Sequence, residues 1–314
     1  MRQRDAPAHA PARARRREPR GAGVRVAVTG AGGLLGAAVL DDLQAHGHVA
    51  LALPRAAADV TDHDALRAAI VPFRPDWVFH LAAFTRVDAC ESDPDRAFLV
   101  NGLGARNAAL VAAAAGAAVL AVSTDYVFDG RASRPWREHD PAAPLGVYGR
   151  SKWAGEQAVR EVHPRHVVVR TAWLFGRGGP NFVDTILARA RAGQPLAVVG
   201  DQRGAPTWTR HLAQALRLLA ERAQFGTYHC TSAGECTWHE LAEYALARAG
   251  IAAPVERITT ERLGRPAPRP AYSVLDGGWC AHVTGRAMPH WKDAVDAHLA
   301  EIGAAAPAPG KDPS

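Results

Sequence analysis

Short apolar runs alternate with longer segments that are apolar on one side only. Runs of this length, rich in valine and other apolar residues, are typical of buried parallel strands. Most of the segments between them have the apolar spacing of amphipathic helices. The predicted strands are "VRVAVTG", "HVALALP", "DWVFHLAA", "AVLAVSTDYVF" and "HVVVRTAWLFG". Regular alternation of strand and helix predicts right-handed crossovers, and so an α/β fold with a doubly wound parallel sheet of the Rossmann type.

This alternation becomes irregular beyond about residue 173. "NFVDTILARARAG" and "TWHELAEYALARAG" predict helices, while "GTYHCTS" predicts one further strand. We therefore expect a dinucleotide-binding domain over residues 24–172 and a smaller, mainly substrate-binding lobe over 173–302. One strand near 226–232 would return to the sheet. Residues 1–23 and 303–314 are expected to be disordered tails because they lack apolar periodicity.

Charge and composition narrow the class of protein. Of the 314 residues, 48% are hydrophobic and 22% charged, values that are ordinary for a globular protein. The formal net charge is +6, and residues 1–23 supply most of it, with seven arginines against two acidic residues. A nucleic-acid argument therefore applies to that tail alone. No uninterrupted apolar run is long enough to span a membrane. The four cysteines lack paired spacing, so neither a zinc site nor a disulfide framework is indicated, and no metal and a reducing cytoplasm are expected.

A glycine-rich turn follows the first predicted strand. "TGAGGLLG" places Gly30, Gly33 and Gly36 between a strand and a helix. Glycine permits close backbone approach there, and the helix N-terminus offers N–H groups to a diphosphate. The second strand ends near Arg55 instead of the acidic residue that selects NAD, which favours NADPH, although a surface arginine would look the same. Asp59 is close enough in sequence to reach the adenine side.

Two further segments carry candidate chemistry. "STDYVF" places Thr124 and Asp125 at the end of a central strand, where open α/β sheets bind ligands. In "VYGRSKWAGE", Tyr148 and Lys152 are spaced i, i+4 and so share a helix face. A cation beside a phenol lowers its pKa. Each motif alone has a structural explanation, a strand-end hydroxyl or a solvated helix face. Together with the glycine turn they indicate a carbonyl reductase.

These motifs resemble those of the extended short-chain dehydrogenases/reductases, and within them the dTDP-4-dehydrorhamnose reductase family. The resemblance covers roughly residues 24 to 300. It rests on "VTGAGGLLG", "DVTD", "LAAFTRVDACESDP", "VNGLGARNAA", "STDYVFDG", "PLGVYGRSKWAGE", "VVRTAWLFG", "NFV", "DQRGAPTW" and "RPAYSVLD".

The resemblance implies roles for individual residues. The implied catalytic residues are Thr124, Tyr148 and Lys152, the last two also touching the cofactor. The other implied or inferred cofactor residues are Gly30, Gly33, Leu34, Leu35, Gly36, Arg55, Asp59, Val60, Ala82, Ala83, Phe84 and Thr85. The implied substrate residues are Val87, Thr124, Asp125, Tyr126 and Trp173. The family often has tyrosine where this chain has Phe84, so one polar contact is missing.

The implied reaction is hydride transfer from NADPH, with NADH possible as a substitute, to C4 of a 4-keto-6-deoxy nucleotide sugar. The specific reaction that the resemblance implies is the conversion of dTDP-4-dehydrorhamnose to dTDP-L-rhamnose. Tyr148 would protonate the alkoxide while Thr124 holds the oxygen. Alternatives are a 4-ketoreductase of secondary metabolism, a sugar-nucleotide epimerase, and a non-catalytic nucleotide-sensing subunit. A dehydratase is disfavoured because Asp125 lacks an acidic partner beside it. A homodimer is compatible with the sequence, and the sugar is not identified by it.

Overall fold

The computed structural model of the chain describes residues 23–306. The predicted tails 1–23 and 303–314 therefore lie mostly outside the described residues. In chain order the strands and helices are β1 (Arg25–Thr29), α1 (Leu34–Ala45), β2 (Val49–Leu53), α2 (His63–Ile70), β3 (Trp77–His80), α3 (Val87–Ser92), α4 (Pro94–Ala97), α5 (Gly104–Ala114), β4 (Ala118–Thr124), α6 (Val147–Val162), β5 (His166–Thr171), β6 (Leu174–Phe175), α7 (Phe182–Arg191), β7 (Leu196–Val199), β8 (Arg203–Gly204), β9 (Thr207–Trp208), α8 (Thr209–Arg222), β10 (Gly226–His229), β11 (Cys236–Thr237), α9 (Trp238–Arg248), β12 (Val255–Ile258), α10 (Thr260–Leu263), α11 (Gly278–Thr284) and α12 (Trp291–Glu301). A π-helical turn, Phe98–Leu103, joins α4 to α5, and short 3₁₀ turns follow α2 and β4.

Six parallel strands form the central sheet in the order β10-β5-β4-β3-β1-β2. The order reverses at β1 and β3, which pair directly in register from Val26 with Trp77 to Thr29 with His80. Such a reversal opens a crevice at the carboxyl ends of the strands. The predicted doubly wound parallel sheet is confirmed.

Alternate residues of each strand supply the two cores of the sheet. In β1, Val26 and Val28 pack with α1 on one face, while Ala27 packs with α2 and α5 on the other. Side chains alternate across a strand with a period of two, so a strand buried on both faces must be apolar throughout. This explains why the predicted strands are continuous apolar runs.

The lobe has its own core. It contains Phe175, Leu187, Leu241, Trp291 and Leu299 from β6, α7, α9 and α12. Helix α9 begins with a capping box, in which Thr237 accepts from the N–H of Glu240 and Glu240 accepts from the N–H of Thr237. A reciprocal cap of this kind fixes where the helix starts.

Two helices beyond residue 173 pack with the sheet and not with the core of the lobe. Helix α8 packs against α1, and α11 packs against α8 and β10, so both belong to the core of the sheet. An open sheet needs apolar cover on both faces, and the returning chain supplies it as helices as well as the predicted strand. The expected tail also starts too early, because Ala304 is buried and the N–H of Ala306 donates to the carbonyl of Arg248.

One continuous helical stretch, Pro94–Ala114, has the length and hydropathy of a membrane span, and 56% of its apolar window is buried inside the structure. Its α5 portion packs against α2 and α6. A helix buried in this way is a core helix of the sheet half.

Candidate active site

A cavity of about 730 Å³ lies along the carboxyl ends of the strands and extends to the lobe. Every site residue predicted from the sequence lines it: Gly30, Gly33, Leu34, Leu35, Gly36, Arg55, Asp59, Val60, Ala82, Ala83, Phe84, Thr85, Val87, Thr124, Asp125, Tyr126, Tyr148, Lys152 and Trp173. The structure thus brings all of them to one place. Their individual roles stay predictions.

The glycine turn forms one wall of the cavity. Gly30 has φ +70°, and a Cβ on it would lie 2.6 Å from the backbone nitrogen of Ala82, so only glycine allows β1 and β3 to approach this closely. Gly33 caps α1 without a side-chain hydrogen bond, and the first turn of α1 contains no acidic residue. The free N–H groups of this turn and the helix dipole suit a diphosphate. The turn therefore fits the dinucleotide that its sequence indicates.

The end of the cavity that is predicted to bind adenosine is more open. The guanidinium of Arg55 is 73% exposed, and its Nε lies 3.1 Å from Oδ2 of Asp59. Hydrogen bonds from the backbone N–H and the hydroxyl of Thr61 hold the pKa of Asp59 below its usual value. Asp59 is therefore an anion at neutral pH and offsets part of the charge of Arg55.

The segment after β3 is tied to α6, the helix that carries two of the predicted catalytic residues. Asn101 accepts from the N–H of Phe84 at 2.7 Å and donates to its carbonyl at 3.1 Å. The same amide donates to Oγ of Ser151 at 2.9 Å. Ser151 precedes Lys152 in α6, so Asn101 fixes the cofactor-side backbone relative to the candidate catalytic residues.

Thr124, Tyr148 and Lys152 meet at the sheet end of the cavity. Oγ1 of Thr124 donates to Oδ1 of Asp125 at 3.0 Å and accepts from the backbone N–H of Tyr126 at 3.2 Å. Nζ of Lys152 donates to the carbonyl of Val122 at 2.7 Å. The rings of Tyr126 and Tyr148 pack edge to face with centroids 5.7 Å apart. The site therefore presents two hydroxyls and one ammonium group to the same space.

Burial controls the protonation of this end. It raises the pKa of Tyr148, raises that of Asp125 to about 6 and lowers that of Lys152 to about 8. Desolvation of the phenol dominates the pKa of Tyr148, and the amine of Lys152 donates to the Val122 carbonyl, so the lowering of this pKa by Lys152 stays a prediction. The phenol is thus protonated at neutral pH, the form that a proton donor needs.

A buried ion pair anchors α6. Arg170 of β5 donates from Nε and Nη2 to the two carboxylate oxygens of Glu156, each at 2.9 Å. Both side chains are 2% exposed. Glu156 lies one turn after Lys152 and opposes the lowering of the lysine pKa. Because a bidentate pair allows little rotation, it fixes the helix that presents Tyr148 and Lys152.

The lobe contributes an aromatic wall. The indoles of Trp173 and Trp238 stack with centroids 3.6 Å apart and planes 9° from parallel. Trp173 has φ +49°, a strained value for a bulky residue, and a Cβ at Gly204 would lie 2.5 Å from its Cε2. The backbone at Gly204 and the stack with Trp238 therefore hold Trp173 in a conformation that it would not adopt alone.

Sequence reasoning missed several residues of the cavity. Trp238 begins a predicted lobe helix, and nothing local in its sequence indicates a position far away beside Trp173. Arg96 lines the cavity from α4, in a segment predicted simply as helix. Arg96 is far from the glycine turn in sequence, so no local signal pointed to it. Within residues 23–306, no group of three or more histidine, cysteine or acidic side chains is placed to hold a metal ion.

A doubly wound sheet with this site at its carboxyl edge defines a nicotinamide-dependent oxidoreductase of the extended short-chain dehydrogenase/reductase class. The sequence profile named RmlD substrate binding domain matches residues 24–303. The chain belongs to that family, the dTDP-4-dehydrorhamnose reductases, as its motifs predicted.

Similar proteins with assigned activities support this family assignment. A dTDP-4-dehydrorhamnose reductase of Streptomyces griseus is 44% identical over 85% of this chain and 90% of the relative. A dTDP-4-keto-6-deoxy-D-glucose reductase of Streptomyces niveus is 38% identical over 85% of this chain and 94% of the relative. The crystal structure of dTDP-4-dehydrorhamnose reductase from Bacillus anthracis in complex with NADP superposes with a TM-score of 0.86. It is 34% identical and covers 89% of this chain and 99% of its own.

Proposed function

We propose that the protein uses NADPH to reduce the 4-keto group of a dTDP-4-dehydro-6-deoxy-hexose, with dTDP-4-dehydrorhamnose as substrate and dTDP-L-rhamnose as product. The observation that carries the proposal is the meeting of Thr124, Tyr148 and Lys152 at one end of a cavity whose other end is the glycine turn. Membership of the reductase family and the printed activities of its relatives support the substrate class. Such a reaction suits the cytoplasm, and a homodimer remains our expectation.

Tyr148 would donate the proton. The bound reduced nicotinamide supplies a hydride to the substrate carbonyl carbon, and the carbonyl oxygen then needs a proton. The raised pKa of Tyr148 keeps that proton on the phenol until the oxygen becomes basic. Proton donation by a positioned group typically contributes about 10²–10⁴-fold to the rate.

Thr124 and Lys152 would position the reacting groups. Thr124 and Tyr148 line the same cavity, so an oxygen placed beside both would be held by two hydroxyls. Lys152 would hold the nicotinamide ribose and stabilise the phenolate that remains once the proton has left. Burial supports this second role, since a charge in a poorly solvated site acts more strongly on its neighbours.

The remaining predicted residues divide between the two ligands. Gly33, Leu34 and Leu35 would bind the cofactor diphosphate, and Asp59 and Val60 the adenosine. Val87, Asp125, Tyr126 and Trp173 would surround the sugar. Trp173 and Trp238 together give an apolar surface that suits a C6 methyl group better than a hydroxymethyl group.

A second substrate is supported by one relative. The Streptomyces niveus protein is named for reduction of dTDP-4-keto-6-deoxy-D-glucose and is nearly as similar to this chain as the rhamnose enzymes. We therefore propose this sugar as the alternative substrate.

The two substrates are distinguished by a panel of dTDP-4-keto-6-deoxy sugars supplied with NADPH or NADH. Oxidation of the cofactor is followed by loss of its absorbance, and product configuration at C4 is read by NMR. Preferred turnover of dTDP-4-dehydrorhamnose to the L-rhamnose product supports the proposal. Preferred turnover of dTDP-4-keto-6-deoxy-D-glucose supports the alternative substrate instead. If no sugar of the panel is reduced, both substrates are rejected. Protein purified with tightly bound NAD that interconverts C4 epimers would indicate an epimerase.

Replacing the proton donor tests the mechanism directly. Tyr148→Phe should lower kcat by at least about 100-fold, the lower end of the usual contribution of a general acid. NADPH affinity, measured by titration, should stay within a few-fold because the ring remains. Tyr244→Phe is the matched control, since it removes a phenol hydroxyl outside the cavity and should retain most turnover. Substantial residual turnover in Tyr148→Phe would remove the tyrosine from its assigned role.

A further inference from the structure

Two arginines line the cavity, Arg55 and Arg96, and they differ in their counter-charges. Arg55 is largely exposed and pairs with Asp59. The guanidinium of Arg96 forms no ion pair with any carboxylate of the residues that the structure describes. A partly buried cation without a counter-charge at the wall of a nucleotide cavity is a candidate ligand for an anion.

The position of Arg96 is fixed by its neighbours. Asp93 caps α4 by accepting from the backbone N–H of Arg96 at 3.2 Å, which leaves the side chain free. The guanidinium carbon lies 4.8 Å from the ring centroid of Phe84. A planar guanidinium over an aromatic ring is attracted by it while its N–H groups remain free to donate in the plane.

Phe84 is itself a rigid support. Asn101 holds both its N–H and its carbonyl, and the ring is buried beside Val147 and Tyr148. A second arginine, Arg86, lies 5.6 Å from the same ring centroid, is exposed, and does not line the cavity. The two arginines share one aromatic support, and only Arg96 faces the ligand space.

We propose that Arg96 binds phosphate oxygens of a nucleotide diphosphate in the cavity. The inference rests on the proposed function, which brings two diphosphates to this site, that of the dinucleotide and that of the dTDP-sugar. A guanidinium donates two parallel N–H groups to one phosphate, and the glycine turn offers backbone N–H groups in the same cavity. Phe84 acts as a positioning residue that keeps the guanidinium at the wall.

Binding measurements test this without relying on turnover. Arg96→Gln, Arg96→Lys, Arg55→Ala and the control Arg86→Gln are titrated with NADPH, NADH and dTDP, at low and at high salt. Arg96→Gln should weaken at least one nucleotide by about tenfold, the scale of a lost charge-assisted contact. Arg96→Lys should restore part of the affinity, and the loss should shrink at high salt. Arg86→Gln should change each nucleotide affinity by no more than about twofold, because Phe84 is unchanged and Arg86 lies outside the cavity.

The pattern across nucleotides identifies the source of the diphosphate. Equal weakening of NADPH and NADH with unchanged dTDP assigns Arg96 to the cofactor, and weakening of dTDP alone assigns it to the substrate. Arg55→Ala, by contrast, should weaken NADPH more than NADH, because Arg55 faces the expected 2′-phosphate. Unchanged affinity for all three nucleotides in Arg96→Gln, or an equal loss in Arg86→Gln, overturns the proposal. If the protein reduces no keto sugar but Arg96→Gln still weakens dinucleotide binding, the proposed substrate is rejected and the role of Arg96 stands.

Discussion

The sheet end of the cavity and its lobe wall are built in opposite ways. At the sheet, Thr124 ends β4 and Asp125 follows it, while Tyr148 and Lys152 lie on α6. Hydrogen bonds and the Arg170–Glu156 pair hold these polar groups in a buried position. At the lobe, Trp173 and Trp238 come from distant elements and are held by stacking and by close packing against Gly204 and Phe182.

This difference assigns the two ends different tasks. Buried polar groups are costly unless paired, so their arrangement tolerates little change, and chemistry depends on it. An aromatic stack is less directional, so its shape can vary while the fold is retained. We therefore expect mutations of Thr124, Tyr148 and Lys152 at the sheet end to act on kcat, and mutations at the lobe wall to act on KM for the sugar.

Removing the ammonium group at the sheet end should have the largest effect. Lys152→Met should lower kcat/KM by about 100-fold or more, the scale for loss of one preorganised charged donor. NADPH affinity should fall as well, because the lysine is expected to hold the ribose. Lys292→Met, at an exposed lysine of α12, is the control and should change neither quantity. Unchanged NADPH affinity in Lys152→Met would argue against the ribose contact.

Breaking the stack at the lobe wall should have an intermediate effect. Trp238→Leu should raise KM for the dTDP-sugar by up to about tenfold, since an aromatic pair contributes about 0.5–1.5 kcal/mol and 1.4 kcal/mol is tenfold. The kcat and the NADPH affinity should change little. Trp279→Leu, at a tryptophan that is 59% exposed, is the matched control. A fall in kcat with unchanged KM would mean that the wall belongs to the chemistry.

The smallest effect should come from titrating Asp125. Burial raises its pKa to about 6, above the usual value of 3.8, so the native protein takes up a proton on acidification that the unfolded chain does not. Its contribution to stability is therefore present at pH below the unfolded pKa and is lost as the pH rises through about 6. Below that pH the neutral carboxyl loses acceptor capacity, and KM for the sugar should rise a few-fold. In Asp125→Asn the dependence of KM on pH in this range should disappear; a wild-type inflection that persists would come from another group.

Particular residues show how far the sequence could lead. The strands, the glycine turn and the tyrosine–lysine pair follow from local patterns, and the sheet order and lining residues agree with them. The hydrogen-bond partner of Lys152 did not follow, because spacing i, i+4 gives proximity of the two side chains and not the direction of Nζ. The places of α8 and α11 also did not follow, because an amphipathic pattern shows that a face is buried and not which surface covers it.

The sequence by itself determined which segments form the sheet, where the cofactor turn lies and which hydroxyls and cation could do the chemistry. These features depend on local periodicity, on glycine where a Cβ would collide, and on the fixed position of strand ends in a parallel sheet. Only the tertiary structure decided that Trp238 lies against Trp173, that Arg96 faces the cavity and that Asp59 offsets the charge of Arg55 at the more open adenosine end. Contacts between distant segments and the burial that shifts a pKa arise from packing of the whole chain, and no local pattern contains them.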